Sequence, residues 1–265
     1  MNETGSPRLQ EPSAGGKPGQ FSPPGMKFAI FGDVHANLEA LERVLEDARS
    51  EGCTHFVCIG DVVGYNANPA ECLGIIRDLG CPVVKGNHDE EASSDHPIEG
   101  LNPLAQLALE WTRRALSDED KEWLRRLKLQ RQVQDFTIVH ATLDSPGSWT
   151  YVTNRFHALI SFNYQFTQVC FHGHTHTPRI FVKSDRVEEI PVAPLHLRSS
   201  CKYFINAGSV GQPRDGDWRA SYAVYNDEAG TVEIRRLEYD LDTAQEKIHR
   251  AGLPDMLAAR LAVGR

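Results

Sequence analysis

Three histidines alternate with small residues in the segment Phe171-His-Gly-His-Thr-His-Thr-Pro178, directly after the apolar run Gln168–Phe171. On an extended strand end alternate side chains share a face, so His172, His174 and His176 would point together. Neutral imidazole is the commonest metal ligand among side chains and suits transition metals such as zinc and iron. The spacing therefore favours a metal site over the plainer alternative, a polar loop with incidental histidines.

Further residues of the kinds that bind metals follow other short apolar runs of the chain. They are Asp33, His35, Asp61, Asn87, His88 and His140. A single Asp after a strand is more often a turn former or a helix cap, but five such strand ends in one chain favour a metal centre. A shared carboxylate can bridge two divalent cations about 3.5–4 Å apart, and Asp61 is the expected bridge.

Short strands followed by helices must position these side chains. We predict strands at Met26–Phe31, His55–Ile59, Cys81–Val84, Asp135–Val139 and Gln168–Phe171, and helices at Leu38–Ala48, with Asn37 as its cap, and Pro69–Leu79. In parallel sheets built from such units, ligands bind beyond the carboxyl ends of the strands. The polar clusters fall at those ends, which predicts one site at one edge of the sheet.

The remaining patterns complete an α/β domain over residues 26–265. A helical insertion at about 90–135 (helices Leu101–Leu116 and Asp118–Leu129) precedes strands at Arg179–Lys183, Lys202–Ile205, Ser221–Tyr225 and Thr231–Leu237, and helices at about 241–263 break at Gly252-Leu-Pro254. We predict a four-layer α/β/β/α sandwich of two mixed sheets, with the insertion as a helical cap overhanging the metal end. Residues 1–25, rich in Gly, Pro and Ser, predict a disordered tail.

Composition limits the possible partners of the 265-residue chain. A formal charge of −8 argues against a dedicated binder of duplex nucleic acid. Because no apolar run reaches the roughly 20 residues that span a bilayer and no signal pattern opens the chain, we expect a cytoplasmic protein without a membrane partner. The six scattered cysteines are expected to be buried, reduced thiols. The oligomeric state is left open.

In this order the motifs resemble those of the calcineurin-like metallophosphoesterases, whose pattern is D-x-H, G-D, G-N-H-[DE], H and G-H-x-H. The matching segments are Asp33-Val-His35, Gly60-Asp61, Gly86-Asn-His-Asp89, His140 and Gly173-His-Thr-His176. The resemblance implies one metal held by Asp33, His35, Asp61 and His176, and a second held by Asp61, Asn87, His140 and His174. Two divalent ions are implied, with Mn or Fe favoured and Zn, Co or Ni possible.

The same resemblance implies roles in catalysis and substrate binding. His88 would be the acid near the leaving group, and Asp61 would act through the metals that it bridges. Asn87, Arg214 and Asn37 are the expected substrate contacts, with Arg214 offering a bidentate fork beside a glycine-rich loop. His172, His55 and His157 match no ligand position and are interpreted as structural or supporting residues.

Within the family, the chain is most similar to a prokaryotic branch with a helical cap. Asn102-Pro-Leu-Ala105, Trp111-Thr112 and Ile205–Asp215 carry that similarity. The segment Gly60–Asn66 departs from the protein serine/threonine phosphatases, because it lacks their Asp and Arg, and Asp89 stands where they have Glu. The partner that orients His88 therefore stays open.

We expect hydrolysis of small phosphodiesters or phosphoanhydrides of nucleotide type, such as dinucleoside polyphosphates, by a water that two metals activate. The tryptophans and arginines of the insertion either hold such a substrate or pack the cap and solvate its surface; they are Trp111, Arg113, Arg114, Trp123, Arg125 and Arg126. The alternatives are a protein serine/threonine phosphatase or phosphomonoesterase, and a non-catalytic metal-binding scaffold.

Overall fold

The computed structural model describes residue 1, residues 25–98 and residues 100–265, so the predicted tail lies almost entirely outside the described residues. The strands are β1 (Lys27–Phe31), β2 (His55–Cys58), β3 (Gln130–Val133), β4 (Phe136–Val139), β5 (Val169–His172), β6 (Arg179–Lys183), β7 (Val187–Ile190), β8 (Leu195–His196), β9 (Lys202–Asn206), β10 (Ala220–Asn226) and β11 (Thr231–Leu237). The helices are α1 (Leu38–Ser50), α2 (Pro69–Leu79), α3 (Asn87–Ser93), α4 (Pro103–Ala115), α5 (Asp118–Arg125), α6 (Arg155–Phe162), α7 (Leu241–Arg250) and α8 (Asp255–Leu261).

The strands form two mixed sheets. One has five strands in the order β2-β1-β10-β11-β8, and the other has six in the order β3-β4-β5-β9-β6-β7. Strands β1 and β2 are parallel, as are β4, β5 and β9, whereas the other pairs are antiparallel. The parallel strands therefore present their carboxyl ends at one edge of each sheet.

The core between the sheets follows from alternation along the strands. Phe28 and Ile30 of β1 face the inner core, where they meet Phe136 and Phe171 of the second sheet. Ala29 and Phe31, which alternate with them, pack on the opposite face, against the layer of α1, α2, α7 and α8. On the outer face of the second sheet, α6 packs over β5, β6 and β9. The predicted four-layer arrangement of two mixed sheets between helices is confirmed.

Several elements differ from the sequence-based predictions. Cys81–Val84 is not a strand, because only isolated bridges join Val83 to Cys58 and Val84 to Lys128. The second helix of the insertion ends at Arg125 and is followed by β3 instead of continuing to Leu129. Strands β3, β7 and β8 and helices α3 and α6 were not predicted, because each is short and has too few apolar residues, or apolar residues on too many sides, to give a clear period.

The insertion belongs to the outer helical layer. Ala105, Ala108, Leu109 and Leu124 are buried in the same core as α1 and α2, and Trp111 and Trp123 pack against that core. Arg113 and Arg125 donate to the main-chain carbonyls of Glu91 and Ser93 in this layer. Trp111 and Trp123 thus pack the helical layer, which agrees with the packing alternative for these two side chains.

Two expectations from composition concern thiols and membranes. All six cysteines are free thiols, and five of them are buried. Among the described residues, no helix is long and apolar enough to cross a bilayer.

Candidate metal centre

Left-handed turns at the strand ends aim the predicted ligands toward one another. Asp33 (φ 48°) follows β1, Asp61 (φ 51°) follows β2, and His174 (φ 68°) and His176 (φ 57°) follow β5. Such backbone is strained for residues other than glycine, costs of order 1–3 kcal/mol each, and clusters at functional sites. The histidine segment is therefore a pair of tight turns and not the extended strand end that the alternation predicted.

One group of ligand atoms belongs to Asp33, His35, Asp61 and His176, which are all buried and lie with these atoms within 4.8 Å of one another. A second group joins Asp61 to His140 and His174 under the same limit. Asp61 is common to both groups. These are the charged and imidazole members of the two sets that the resemblance implied, and the side-chain oxygen of Asn87 is a buried acceptor without a hydrogen-bond partner.

Main-chain carbonyls determine which imidazole nitrogen is free. The Nδ1 atoms of His35, His140 and His176 lie 3.0, 2.8 and 2.6 Å from the carbonyl oxygens of Val63, Ile59 and Gln212. Since a carbonyl only accepts, each Nδ1 carries a proton there and each Nε2 faces the site. In His174 the roles reverse, because Nε2 donates to the carbonyl of Trp149 at 2.8 Å and leaves Nδ1 free.

These free nitrogens fit a metal ion better than they fit one another. The Nε2 atoms of His35 and His176 face each other at 3.0 Å, and with both Nδ1 atoms protonated neither can donate. Oδ2 of Asp61 and Nε2 of His140 are buried without a hydrogen-bond partner although they lie 3.2 Å apart. Converging lone pairs on buried oxygen and nitrogen, with no thiolate, suit a divalent transition metal.

The electrostatics of the site favour the metal-binding forms of most ligands. Burial lowers the pKa of His174 to about 3 and holds that of His35 and His176 far below the ordinary value, so their imidazoles are neutral at pH 7. Burial alone would raise the pKa of Asp61, but neighbouring His140 and other imidazoles hold it well below its usual range. His140 behaves oppositely: burial would lower its pKa, but Asp61 raises it to about 10. Metal binding at Nε2 of His140 would therefore require release of the proton that Asp61 stabilises there.

His88, the expected acid, is also buried. Its main-chain N–H donates to Oδ1 of Asp61 at 2.8 Å, while its Nδ1 is buried without a partner. Desolvation by burial lowers the pKa of His88 to about 4. Asp89 does not orient this ring, because its carboxylate accepts the main-chain N–H groups of Asp61, Val62 and Gly86 at 2.8–3.0 Å. Asp89 instead holds the Asp61 turn in place.

Two of the expected substrate contacts have different surroundings. Asn37 is 1 % exposed, its oxygen caps α1 through the Ala40 N–H, and its amide donates to Gly211. Both ends of Asn37 are engaged, so the structure supports the predicted cap and argues against a substrate contact. Arg214 is partly buried and donates to the hydroxyl of Tyr65 at 3.1 Å. Its guanidinium thus lies beside the first ligand group.

The glycine-rich loop before Arg214 does not present free amides at the positions that contact the site. The N–H groups of Val210 and Gly211 donate to the carbonyls of Gly32 and Asp33 at 3.1 and 2.9 Å. A Cβ at Gly211 would lie 1.8 Å from the carbonyl oxygen of Val34. The loop therefore braces the Asp33 turn by close main-chain packing and leaves anion binding to side chains.

The other histidines lie outside the two ligand groups, as expected. His172 is buried, stacks on Phe204 with ring centroids 4.1 Å apart, and contacts the Asn206 amide at 3.3 Å. His55 and His157 contact neighbouring threonines. The expectation that His172 points together with His174 and His176 is thus wrong, because the turn after β5 separates it from them.

Sequence reasoning missed an aromatic pair beside the second ligand group. The ring of Tyr151 stacks on His174 at 4.1 Å between centroids, and the residue as a whole is 47 % exposed. Trp149, in a left-handed conformation (φ 55°), accepts the His174 hydrogen bond and meets the edge of His140 at 5.9 Å. The only sequence signal was a lone Trp and Tyr in a loop without periodicity.

Comparisons with known proteins point the same way as this geometry. The family model for the calcineurin-like phosphoesterase superfamily domain matches residues 26–230. The uncharacterized protein MJ0912 of Methanocaldococcus jannaschii is 37 % identical over 242 residues, which cover 89 % of this chain and 98 % of that protein.

Two solved structures extend the similarity to the fold. A metallophosphoesterase from Sphaerobacter thermophilus is 37 % identical, with a TM-score of 0.80 over 91 % of this chain and 100 % of its own. The hypothetical protein PH1004 from Pyrococcus horikoshii OT3 shares the fold at 18 % identity, with a TM-score of 0.73 over 91 % of this chain and 99 % of its own.

Proposed function

Since the chain belongs to the calcineurin-like phosphoesterase superfamily and is a metal-dependent phosphoester hydrolase, we propose that its substrates are small phosphodiesters or phosphoanhydrides of nucleotide type. The observation that supports two-metal hydrolysis is the pair of buried ligand groups sharing Asp61. The proposed preference for nucleotides rests on the aromatic pair Trp149 and Tyr151 beside the second of these groups.

The residues of the site have separate roles in the proposed hydrolysis. Two divalent cations, when bound, would supply an activated water near neutral pH and offset negative charge on the phosphoryl oxygens. Asp61 is common to the two ligand groups, and Asn87 offers its side-chain oxygen at the same edge. We assign to His88 the transfer of a proton to the departing oxygen. Because burial keeps its pKa at about 4, it needs the adjacent negative charge of a substrate to hold that proton.

The donor set also guides the choice of metal. Imidazole and carboxylate ligands without thiolate suit Mn, Fe, Zn, Co or Ni, and we favour Mn or Fe. Protein purified from its native host should then contain either metal in preference to Mg²⁺, as measured by elemental analysis.

Tyr151 is the residue that we assign to the nucleotide base. One face of its ring covers His174, and the residue is 47 % exposed, which leaves room for a second stacking partner. Stacking of a base on an aromatic side chain contributes about 1–3 kcal/mol and tolerates any base. A nucleotide could therefore stack on Tyr151 while its phosphate reaches the ligand groups beside His174.

The test compares Tyr151→Ala with Tyr164→Ala, a matched control that is 55 % exposed and, among the described residues, has no recorded contact with a metal-site side chain. With Mn²⁺ bound, we expect Tyr151→Ala to lower kcat/KM for diadenosine tetraphosphate by roughly 5-fold to 100-fold. Hydrolysis of bis(p-nitrophenyl) phosphate should fall much less, and Tyr164→Ala should change neither rate more than about twofold.

The same assays separate the other functions. A wild-type preference for a phosphoserine peptide would favour a protein phosphatase and contradict the nucleotide assignment. Preference for p-nitrophenyl phosphate over both diesters would favour a phosphomonoesterase. Two bound metals without turnover of any of these substrates would indicate a binding scaffold.

A further inference from the structure

Two arginines from distant parts of the chain converge on the ring of Tyr65. The guanidinium carbon of Arg214 lies 5.5 Å from the ring centroid, and that of Arg260 lies 5.9 Å from it. Arg214 also donates to the Tyr65 hydroxyl at 3.1 Å. Tyr65 itself lies against the site, with its centroid 4.4 Å from that of His88 and 4.8 Å from that of His35. The Tyr65 ring thus contacts both the arginine pair and a member of the first ligand group.

The fold holds Arg260 in this place. It belongs to α8, whose residues Leu257 and Leu261 are buried in the outer helical core. After α8, the carbonyl of Gly264 accepts the N–H of Gly216 at 3.0 Å, in the loop that follows Arg214. Gly264 has φ 61°, and a Cβ there would lie 2.8 Å from the main-chain nitrogen of Asp217. The end of the chain is therefore packed tightly onto the loop that carries Arg214.

Neither guanidinium is paired with an Asp or Glu side chain among the residues that the structure describes. Arg214 donates to the side-chain oxygen of Gln212 and to Tyr65, which are neutral. Nε of Arg260 donates to the main-chain oxygen of Arg265. Most other arginines of the described chain form ion pairs, including Arg77, Arg113, Arg125, Arg219 and Arg235.

Two partly buried cations beside one another repel, and desolvation together with Arg214 lowers the pKa of Arg260. Charged groups at this depth are normally paired, because an uncompensated charge loses its hydration. An anion with several oxygens would accept from both guanidiniums and offset both charges. The site thus has the donors for a phosphate and not for a neutral group.

We propose that Arg214, Arg260 and the Tyr65 hydroxyl form a second anion subsite, which binds a non-reacting phosphate next to the one held at the metal centre. The subsite rests on the proposed hydrolase function and narrows it: the substrate class is a chain of at least two phosphates joined by an anhydride, in preference to an isolated diester. Binding energy on the second phosphate positions the first over the ligand groups.

The first measurement is calorimetric binding of inorganic tripolyphosphate to the metal-free full chain. We expect Arg260→Gln to weaken binding about tenfold, because charge-assisted hydrogen bonds are lost, and Arg260→Lys to weaken it less. Arg250→Gln, at an exposed position on α7, is the matched control and should bind as the wild type does. Equal affinity of Arg260→Gln and the wild type would overturn the subsite.

The second measurement is the ratio of kcat/KM for diadenosine tetraphosphate to that for bis(p-nitrophenyl) phosphate in the Mn²⁺-loaded enzyme. Arg260→Gln should lower this ratio about tenfold, and an unchanged ratio would also overturn the proposal. A wild type that hydrolyses neither compound contradicts the proposed function, while calorimetry still decides the subsite. If Arg260→Gln does not fold, the same two comparisons with Arg260→Lys decide, with about threefold losses expected.

Discussion

One added methyl group at Gly86 tests the metal centre most directly. A Cβ at this position would lie 2.0 Å from Oδ1 of Asp61 and 2.5 Å from its main-chain nitrogen. Contacts this short do not occur, so Gly86→Ala must displace the Asp61 turn or its own. Asp61 is common to both ligand groups, and the change should therefore weaken both metal sites.

The magnitude follows from what holds the turn. The Asp61 N–H donates to Asp89 at 2.8 Å, and Oδ1 of Asp61 accepts the His88 N–H at 2.8 Å, so neither side can retreat without losing a hydrogen bond. Overpacking costs about 1–3 kcal/mol and a lost hydrogen bond about 1 kcal/mol. We expect the free energy of unfolding of the metal-free protein to fall by about 3 kcal/mol, and Mn²⁺ affinity to fall roughly 10-fold to 100-fold.

Urea unfolding of the metal-free protein and calorimetric titration with Mn²⁺ measure the two effects. Gly74→Ala is the matched control, because this glycine lies inside α2 and a Cβ there meets nothing within 4 Å. That substitution should stabilise the protein by about 0.5–1 kcal/mol and leave Mn²⁺ affinity unchanged. If Gly86→Ala binds Mn²⁺ as tightly as the wild type, the Asp61 turn does not position the metals as argued.

Three further predictions follow from the described contacts. His174→Ala should lose one of two bound Mn²⁺ ions and Asp61→Ala both, as counted by equilibrium dialysis with elemental analysis; equal losses would contradict a shared carboxylate. Saturating Mn²⁺ at 100 times its Kd should stabilise the wild type by about 2.7 kcal/mol in urea unfolding, and a chelator should reverse this. Asp47→Asn should destabilise by about 2 kcal/mol at pH 7, because the Asp47 carboxylate accepts from Arg235 and Tyr222 at 2.7 Å. Burial would raise the pKa of Asp47, but these hydrogen bonds lower it. The contribution of Asp47 to the free energy of unfolding is therefore complete above the unfolded pKa of about 3.9 and is lost as the pH falls through the lower folded pKa. A stability difference between wild type and variant that grows below pH 4 would contradict this.

The ligand positions could be predicted because each lies where a short apolar run stops. A strand buried on both faces must be apolar, so the first polar residue after it marks the sheet edge in sequence alone. Asp33, Asp61, His140 and His174 were identified this way. By contrast, Cys81–Val84 met the same criterion and pairs only through isolated bridges, because strand pairing depends on a neighbour that local composition does not describe.

The residues expected to contact substrate show what could not be predicted from the sequence. Asn37 was expected to contact substrate, yet its side-chain oxygen accepts from the Ala40 N–H in α1 and its amide nitrogen donates to the Gly211 carbonyl. Trp111 and Trp123 were candidates for stacking, but they pack the helical layer, and the exposed aromatic ring at the site is Tyr151. The sequence shows that such side chains are present, but it does not show which surface of the fold they occupy.

The sequence by itself determined the order of the strand ends and the chemical types of the ligands, because both are local properties of short segments. Only the tertiary structure decided which nitrogen of each imidazole is free, since main-chain carbonyls distant in sequence select it, as Ile59 does for His140. It also decided that Arg260 joins Arg214 at Tyr65. Long-range packing of α8 onto the loop after Arg214 brings these charges together, and no local pattern encodes a contact of that kind.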